Sequence, residues 1–131
     1  MAKTITITFW RDDYSGPACL EYSWVPEGLR RNIQLMPGQQ EDTNTDSVDD
    51  DLNPSHVEVY VATNNDAASV ERWQFPSGGP GKTPVASARV EIYQERMEIV
   101  GTVTYEDGST ASDTAKLDPF GRPCPTEQDS K

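Results

Sequence analysis

The chain has 131 residues, enough for one domain with one core, and its twenty-two acids against eleven bases set a formal charge of −11. Nucleic-acid and anionic-membrane binding are disfavoured, because phosphate contacts need clustered Lys and Arg and the only adjacent basic pair is Arg30-Arg31. A hydrophobic share of 34% and a mean hydropathy of −0.70 mean that apolar residues must be gathered into particular segments.

From the start, TITITFW alternates: Ile5, Ile7 and Phe9 face one way, and Thr4, Thr6, Thr8 and Trp10 the other, which predicts a strand over 3–10. RDDYSGP punctuates it. CLEYSWV predicts a strand over 19–25 with Leu20, Tyr22 and Trp24 on one face, and Pro26-Glu27-Gly28 turns the chain into another over 29–36.

Residues 38–55 read as an acidic loop insertion. Glu41, Asp42, Asp46, Asp49, Asp50 and Asp51 crowd six carboxylates into eleven positions, and blocks of like charge repel and stay open. Beyond it HVEVYVA predicts a strand over 56–62, with Val57, Val59 and Val61 alternating against Glu58 and Tyr60. Asn64, Asn65 and Asp66 supply turn chemistry before a strand over 70–75, and PSGGPGKTP is a loop by composition. Strands follow over 85–93, 97–105 and 109–117, the last two joined through Glu106-Asp107-Gly108, the strongest hairpin signal in the chain. Residues 118–131 carry three Pro and no strand pattern, and read as an extended tail on a domain of residues 1–117.

About eight short strands, regular punctuation and no helical period predict an all-β fold: an antiparallel sandwich or barrel, of immunoglobulin-like or jelly-roll type. Parallel pairing is disfavoured, since crossover helices are missing. No apolar run exceeds four residues, and MAKTITITFW has neither the length nor the flanks of a signal peptide, so cytoplasmic synthesis is expected. In that compartment Cys19 and Cys124 read as two free thiols, with a disulfide as the alternative.

Candidate chemistry is sparse. Asp42, Asn44 and Asp46 reproduce the D-x-[DN]-x-[DN] opening of a calcium loop, with Asp50 at its ninth position. Ser47 then stands where Gly is needed and Asn53 where a bidentate Glu is needed, so calcium binding at Asp42, Asn44, Asp46 and Asp50 would be weak. Gly81-Lys82-Thr83 ends a phosphate-loop pattern whose first Gly is replaced by Pro76 and whose helix is replaced by a strand. His56 is the only imidazole, and Glu91, Glu95 and Glu98 are the paired-carboxylate candidates a glycosidase would need.

The contact surface expected from this pattern consists of Trp10 and Tyr60, opposite the Val and Ile stripes, together with Asp49, Asp50 and Asp51. These residues predict a non-enzymatic structural or interaction module without a cofactor. It would serve as an accessory, decoration-type subunit of a larger or symmetric protein assembly such as a virion. An acidic nucleic-acid mimic that inhibits a basic protein is the second expectation, and a carbohydrate-active enzyme the third.

Overall fold

A computed structural model describes residues 2–63, 69–76 and 84–120, and the statements below concern those residues. Nine strands form two sheets: β1 (Ala2–Arg11), β2 (Ala18–Val25), β3 (Arg31–Leu35), β4 (Glu41–Asp49), β5 (His56–Thr63), β6 (Ser69–Phe75), β7 (Val85–Tyr93), β8 (Glu98–Tyr105) and β9 (Thr110–Lys116). The one other element is a 3-10 turn at Gln94–Arg96. A five-stranded sheet, ordered β4-β1-β7-β8-β9, packs on a four-stranded sheet, ordered β3-β2-β5-β6, as a sandwich rather than a closed barrel.

Alternation decides what lies between the sheets. Ile5, Ile7 and Phe9 of β1, Val90 and Ile92 of β7, and Ile99 and Val103 of β8 meet Leu20, Tyr22 and Trp24 of β2, Val57, Val59 and Val61 of β5, and Phe75 of β6, all buried. At about 25 cal/mol per Å² of apolar surface removed from water, this double stripe is the main stabilising term. A slip of one residue in any strand would turn its stripe to solvent, so register is strongly specified. Between the sheets, a Cβ on Gly101 would lie 2.7 Å from the Phe75 ring.

Two departures from the sequence reading concern topology. The ninth strand is β4, inside the segment expected to be an acidic loop, and it pairs along its whole length with β1, from Ala2 opposite Asp49 to Trp10 opposite Glu41. One pairing is parallel: β1 runs alongside β7, with Thr6 next to Ser87 and Arg11 next to Ile92. No helix is needed for this crossover, because the chain between β1 and β7 is spent on the second sheet and on β4. The expected hairpins do form, β2 with β3 and β8 with β9, the latter turning at Gly108 with a φ of 91° that glycine adopts at no steric cost.

Cys19 is disulfide-bonded, which corrects the free-thiol expectation; its partner lies outside the described residues. Cys124, the phosphate-loop-like Gly81-Lys82-Thr83, the Asn64-to-Asp66 turn and residues 121–131 of the expected tail also lie outside them. Among the described residues no helix is long and apolar enough to cross a membrane.

Candidate functional site

The acidic stretch is divided by the pleat of β4. Residues opposite each other on paired strands share a face, so Asp46 opposite Ile5, Asn44 opposite Ile7 and Val48 opposite Lys3 lie on the inner side of the sheet. Asp46, with a side chain only 9% exposed, is there to accept hydrogen bonds from the Tyr22 hydroxyl at 2.6 Å and the Trp24 indole N–H at 3.0 Å. Arg31 Nε lies 3.5 Å from its other oxygen, and Arg31 in turn holds Glu27 through two bonds of 2.6 and 3.2 Å. Asn44 donates to the Tyr22 hydroxyl at 3.1 Å and to the Asn32 carbonyl at 3.0 Å. Burial first, and the bond to Asp46 second, hold the Tyr22 phenol well above its usual pKa, so it stays a donor.

This network joins the β3 and β4 margins of the two sheets and is structural. It also takes apart the calcium pattern: Asp42, Asn44 and Asp46 are spread along an extended strand, with alternate residues about 6.6 Å apart, instead of curling round one ion. Asp50 lies beyond the strand, and among the described residues no three His, Cys, Asp or Glu side chains gather where they could hold a metal. Asp49, Asp50 and Asp51 are exposed.

Arg11 continues the inward stripe of β1 and is 2% exposed. Its guanidinium donates to the carbonyls of Gly16, Met36 (2.8 Å) and Gln39 (3.0 and 2.8 Å), tying the 12–17 and 36–40 loops to the strand end. Burial lowers its pKa, with Asp13 acting in the opposite direction. Arg11 stands in the charged run RDDYSGP that punctuates the strand, yet the odd-numbered alternation of Ile5, Ile7 and Phe9 points straight to it.

The outer face of the five-stranded sheet is of another kind. Register aligns Thr45, Thr6, Ser87, Thr104 and Thr110 in one row across all five strands, and Thr43, Thr8, Arg89, Thr102 and Ser112 in the next. Within it Thr8 bonds Thr43 at 2.8 Å and Thr102 bonds Ser112 at 2.9 Å. Beside these rows, further along β1 and β7, stand Trp10 and Tyr93, half-buried, with ring centroids 5.4 Å apart and planes inclined at 52°. The Arg89 guanidinium lies 5.9 Å from the Trp10 ring and that of Arg96 4.2 Å from the Tyr93 ring, within cation–π range.

Carboxylates hold these cations. Glu91 takes Arg89 at 2.7 Å and the Tyr93 hydroxyl at 3.2 Å, while Glu98 takes Arg96 at 3.0 Å and Lys116 at 3.1 Å. The bonds from Lys116 and Arg96 hold Glu98 below its usual pKa. Trp10 is thus placed as the sequence reading placed it, on an accessible face, whereas Tyr93, its partner, was missed.

Tyr60 lies on the outer face of the other sheet, opposite the Val stripe as its position requires, but is only 8% exposed and packs with Cys19 and Ala62. Beside it a register shift between Val59 and Val61 bulges β6, and Arg72 takes a φ of 54°, uncommon outside glycine. A hollow of about 160 Å³ opens there, lined by Glu21, Arg30, Glu58, Tyr60, Glu71 and Arg72 among others. His56, half-buried, bonds the Ser55 hydroxyl through Nδ1 at 2.8 Å. Glu91 and Glu98 stand on adjacent strands, while Glu95 is exposed on the 3-10 turn.

No family model matches the chain, and neither the curated proteins nor the solved structures contain a significant match.

Proposed function

We propose that this protein is a non-enzymatic contact module, an accessory subunit of decoration type in a larger assembly such as a virion, which meets its partner through the outer face of the five-stranded sheet. The observation that supports this reading is the Trp10–Tyr93 pair, half-exposed beside the hydroxyl rows on the sandwich face. Aromatic side chains bring large contact area at little conformational cost, and they are enriched in the anchors of recognition surfaces. Here two adjacent, paired strands of one sheet fix their backbone, and ion pairs to Glu91 and Glu98 fix the guanidinium groups beside them. The mimic reading draws less support, because Asp46 is turned inward and spent on Tyr22 and Trp24.

The test is co-sedimentation with large particles from the source of the protein. The wild-type chain should travel with a particulate fraction and remain there in moderate salt, while Trp10→Arg should stay in the supernatant with unchanged circular dichroism. Equal co-sedimentation of wild type and Trp10→Arg would remove the outer face from the reading.

A further inference from the structure

We infer that the outer face of the five-stranded sheet is a glycan-binding surface, and that the occupant is a neutral polysaccharide chain running along the strands from the Trp10–Tyr93 pair over the threonine and serine rows. The inference rests on the contact reading above and names the chemistry of the partner.

Three properties of the face select this occupant. The first is its hydroxyl content. Thr4, Thr6 and Thr8 of β1, Thr43, Thr45 and Ser47 of β4, Ser87 of β7, Thr102 and Thr104 of β8, and Thr110, Ser112 and Thr114 of β9 share one side of the sheet. Each hydroxyl both donates and accepts, as sugar hydroxyls do, so the two surfaces satisfy each other in either direction. Serine and threonine are, by contrast, under-represented among the anchors of protein–protein interfaces.

The second is charge. In a chain of formal charge −11, the cations of this face are already matched: Arg89 to Glu91, Arg96 to Glu98 and Lys116 to Glu98. Sulfated, phosphorylated or uronic ligands would have to displace those carboxylates, whereas a neutral sugar can use the fixed pairs as donors and acceptors. The third is the aromatic pair, in which Arg96 stacks on Tyr93 and the half-exposed Trp10 offers apolar area to the C–H face of a sugar at the edge of the hydroxyl rows. Neighbouring strands of a sheet rotate by about 20–25° on average, so the rows fan out. Such a surface follows a flexible chain more readily than a flat crystalline array.

The experiment is affinity electrophoresis of the full chain through gels containing a soluble β-glucan, a mannan, a galactan or an arabinoxylan, followed by calorimetry on any that retard it. The expected result is retardation by at least one polysaccharide, insensitive to 0.5 M NaCl and abolished when that polysaccharide is first oxidised with periodate. Trp10→Ala should weaken it at least tenfold. A second variant, Thr8→Arg with Thr102→Arg, should block the rows without touching the core, and Tyr60→Phe on the opposite sheet should bind as wild type. No retardation by any of the four, retardation that survives in both face variants, or retardation that disappears in salt would overturn the inference. If that happens while Trp10→Arg still loses co-sedimentation, the contact reading stands and only the glycan is wrong; if Trp10→Arg also co-sediments as wild type, both fall.

Discussion

The Tyr22 hydroxyl donates a 2.6 Å hydrogen bond to Asp46 across the gap between the two sheets. A residue from the most acidic stretch of the chain thus serves as the polar anchor of its core, and the same carboxylate also accepts from Trp24 and lies beside Arg31.

Asp46→Ala strands two buried donors and leaves Arg31 with Glu27 and the Leu29 carbonyl. The expected loss is about 3 kcal/mol, since a buried group left without its partner bears its full desolvation cost. Asp42→Ala, at an exposed position, should shift stability by less than about 0.5 kcal/mol. Urea denaturation of both variants, with and without millimolar calcium, checks this and the loss of the calcium pattern together. Protection of the wild type by calcium, removed by Asp42→Ala, would contradict the strand geometry.

Alkaline pH should act through Tyr22. Its pKa is raised in the folded chain above the ordinary 10.0, so the unfolded chain releases this proton first. The associated stability is therefore complete below pH 10 and declines as pH rises beyond it. In absorbance titration at 295 nm one tyrosine should ionise only together with unfolding. Tyr22→Phe should be less stable at neutral pH, yet lose less between pH 9 and about 11.5 than the wild type does.

Gly101→Ala is expected to destabilise by about 1–3 kcal/mol, the usual penalty of overpacking, because the new methyl group meets a buried Phe75 ring rather than a flexible chain end. Phe75→Leu alone is also destabilising. Combined with Gly101→Ala its cost should be less than additive, which a double-mutant cycle by thermal denaturation measures.

Arg11→Met removes the donors that hold the carbonyls of Gly16, Met36 and Gln39, and should cost about 3 kcal/mol, with charged-donor bonds worth more than neutral ones. Arg11→Lys should recover only part of that, since one compact ammonium cannot span three carbonyls. Amide exchange at Gly38, which donates to the Tyr14 carbonyl, should quicken in both variants.

The disulfide at Cys19 predicts that thiol reagent finds no free cysteine in the denatured, unreduced chain, although the sequence holds two. Reduction should lower the melting temperature, with a loss of about 2–5 kcal/mol as is typical for small domains. A full complement of reactive thiols before reduction would overturn it.

Most strands were legible because alternation is local: the expected 85–93 and 56–62 agree with Val85–Tyr93 and His56–Thr63 to within one residue. β4 was misread because its charge density was weighed above its period. Thr43, Thr45 and Ser47 alternate with Asn44, Asp46 and Val48, of which only Val48 is apolar, so the period is faint, and partnership with β1 offsets the repulsion that would keep such a segment open. Trp10 was found on the correct face by the same rule, but its pairing with Tyr93 joins residues far apart in sequence, which no local pattern reports.

By itself, then, the sequence determined which side chains share a face, because the pleat makes that a matter of counting by two. Which faces meet was decided only by the tertiary structure: it set β4 beside β1, turned Asp46 toward Tyr22, gave Arg11 its three carbonyls, and lined up hydroxyls from five strands in one surface. The physical reason is that register between distant strands depends on packing the whole core at once, and no single strand carries that information.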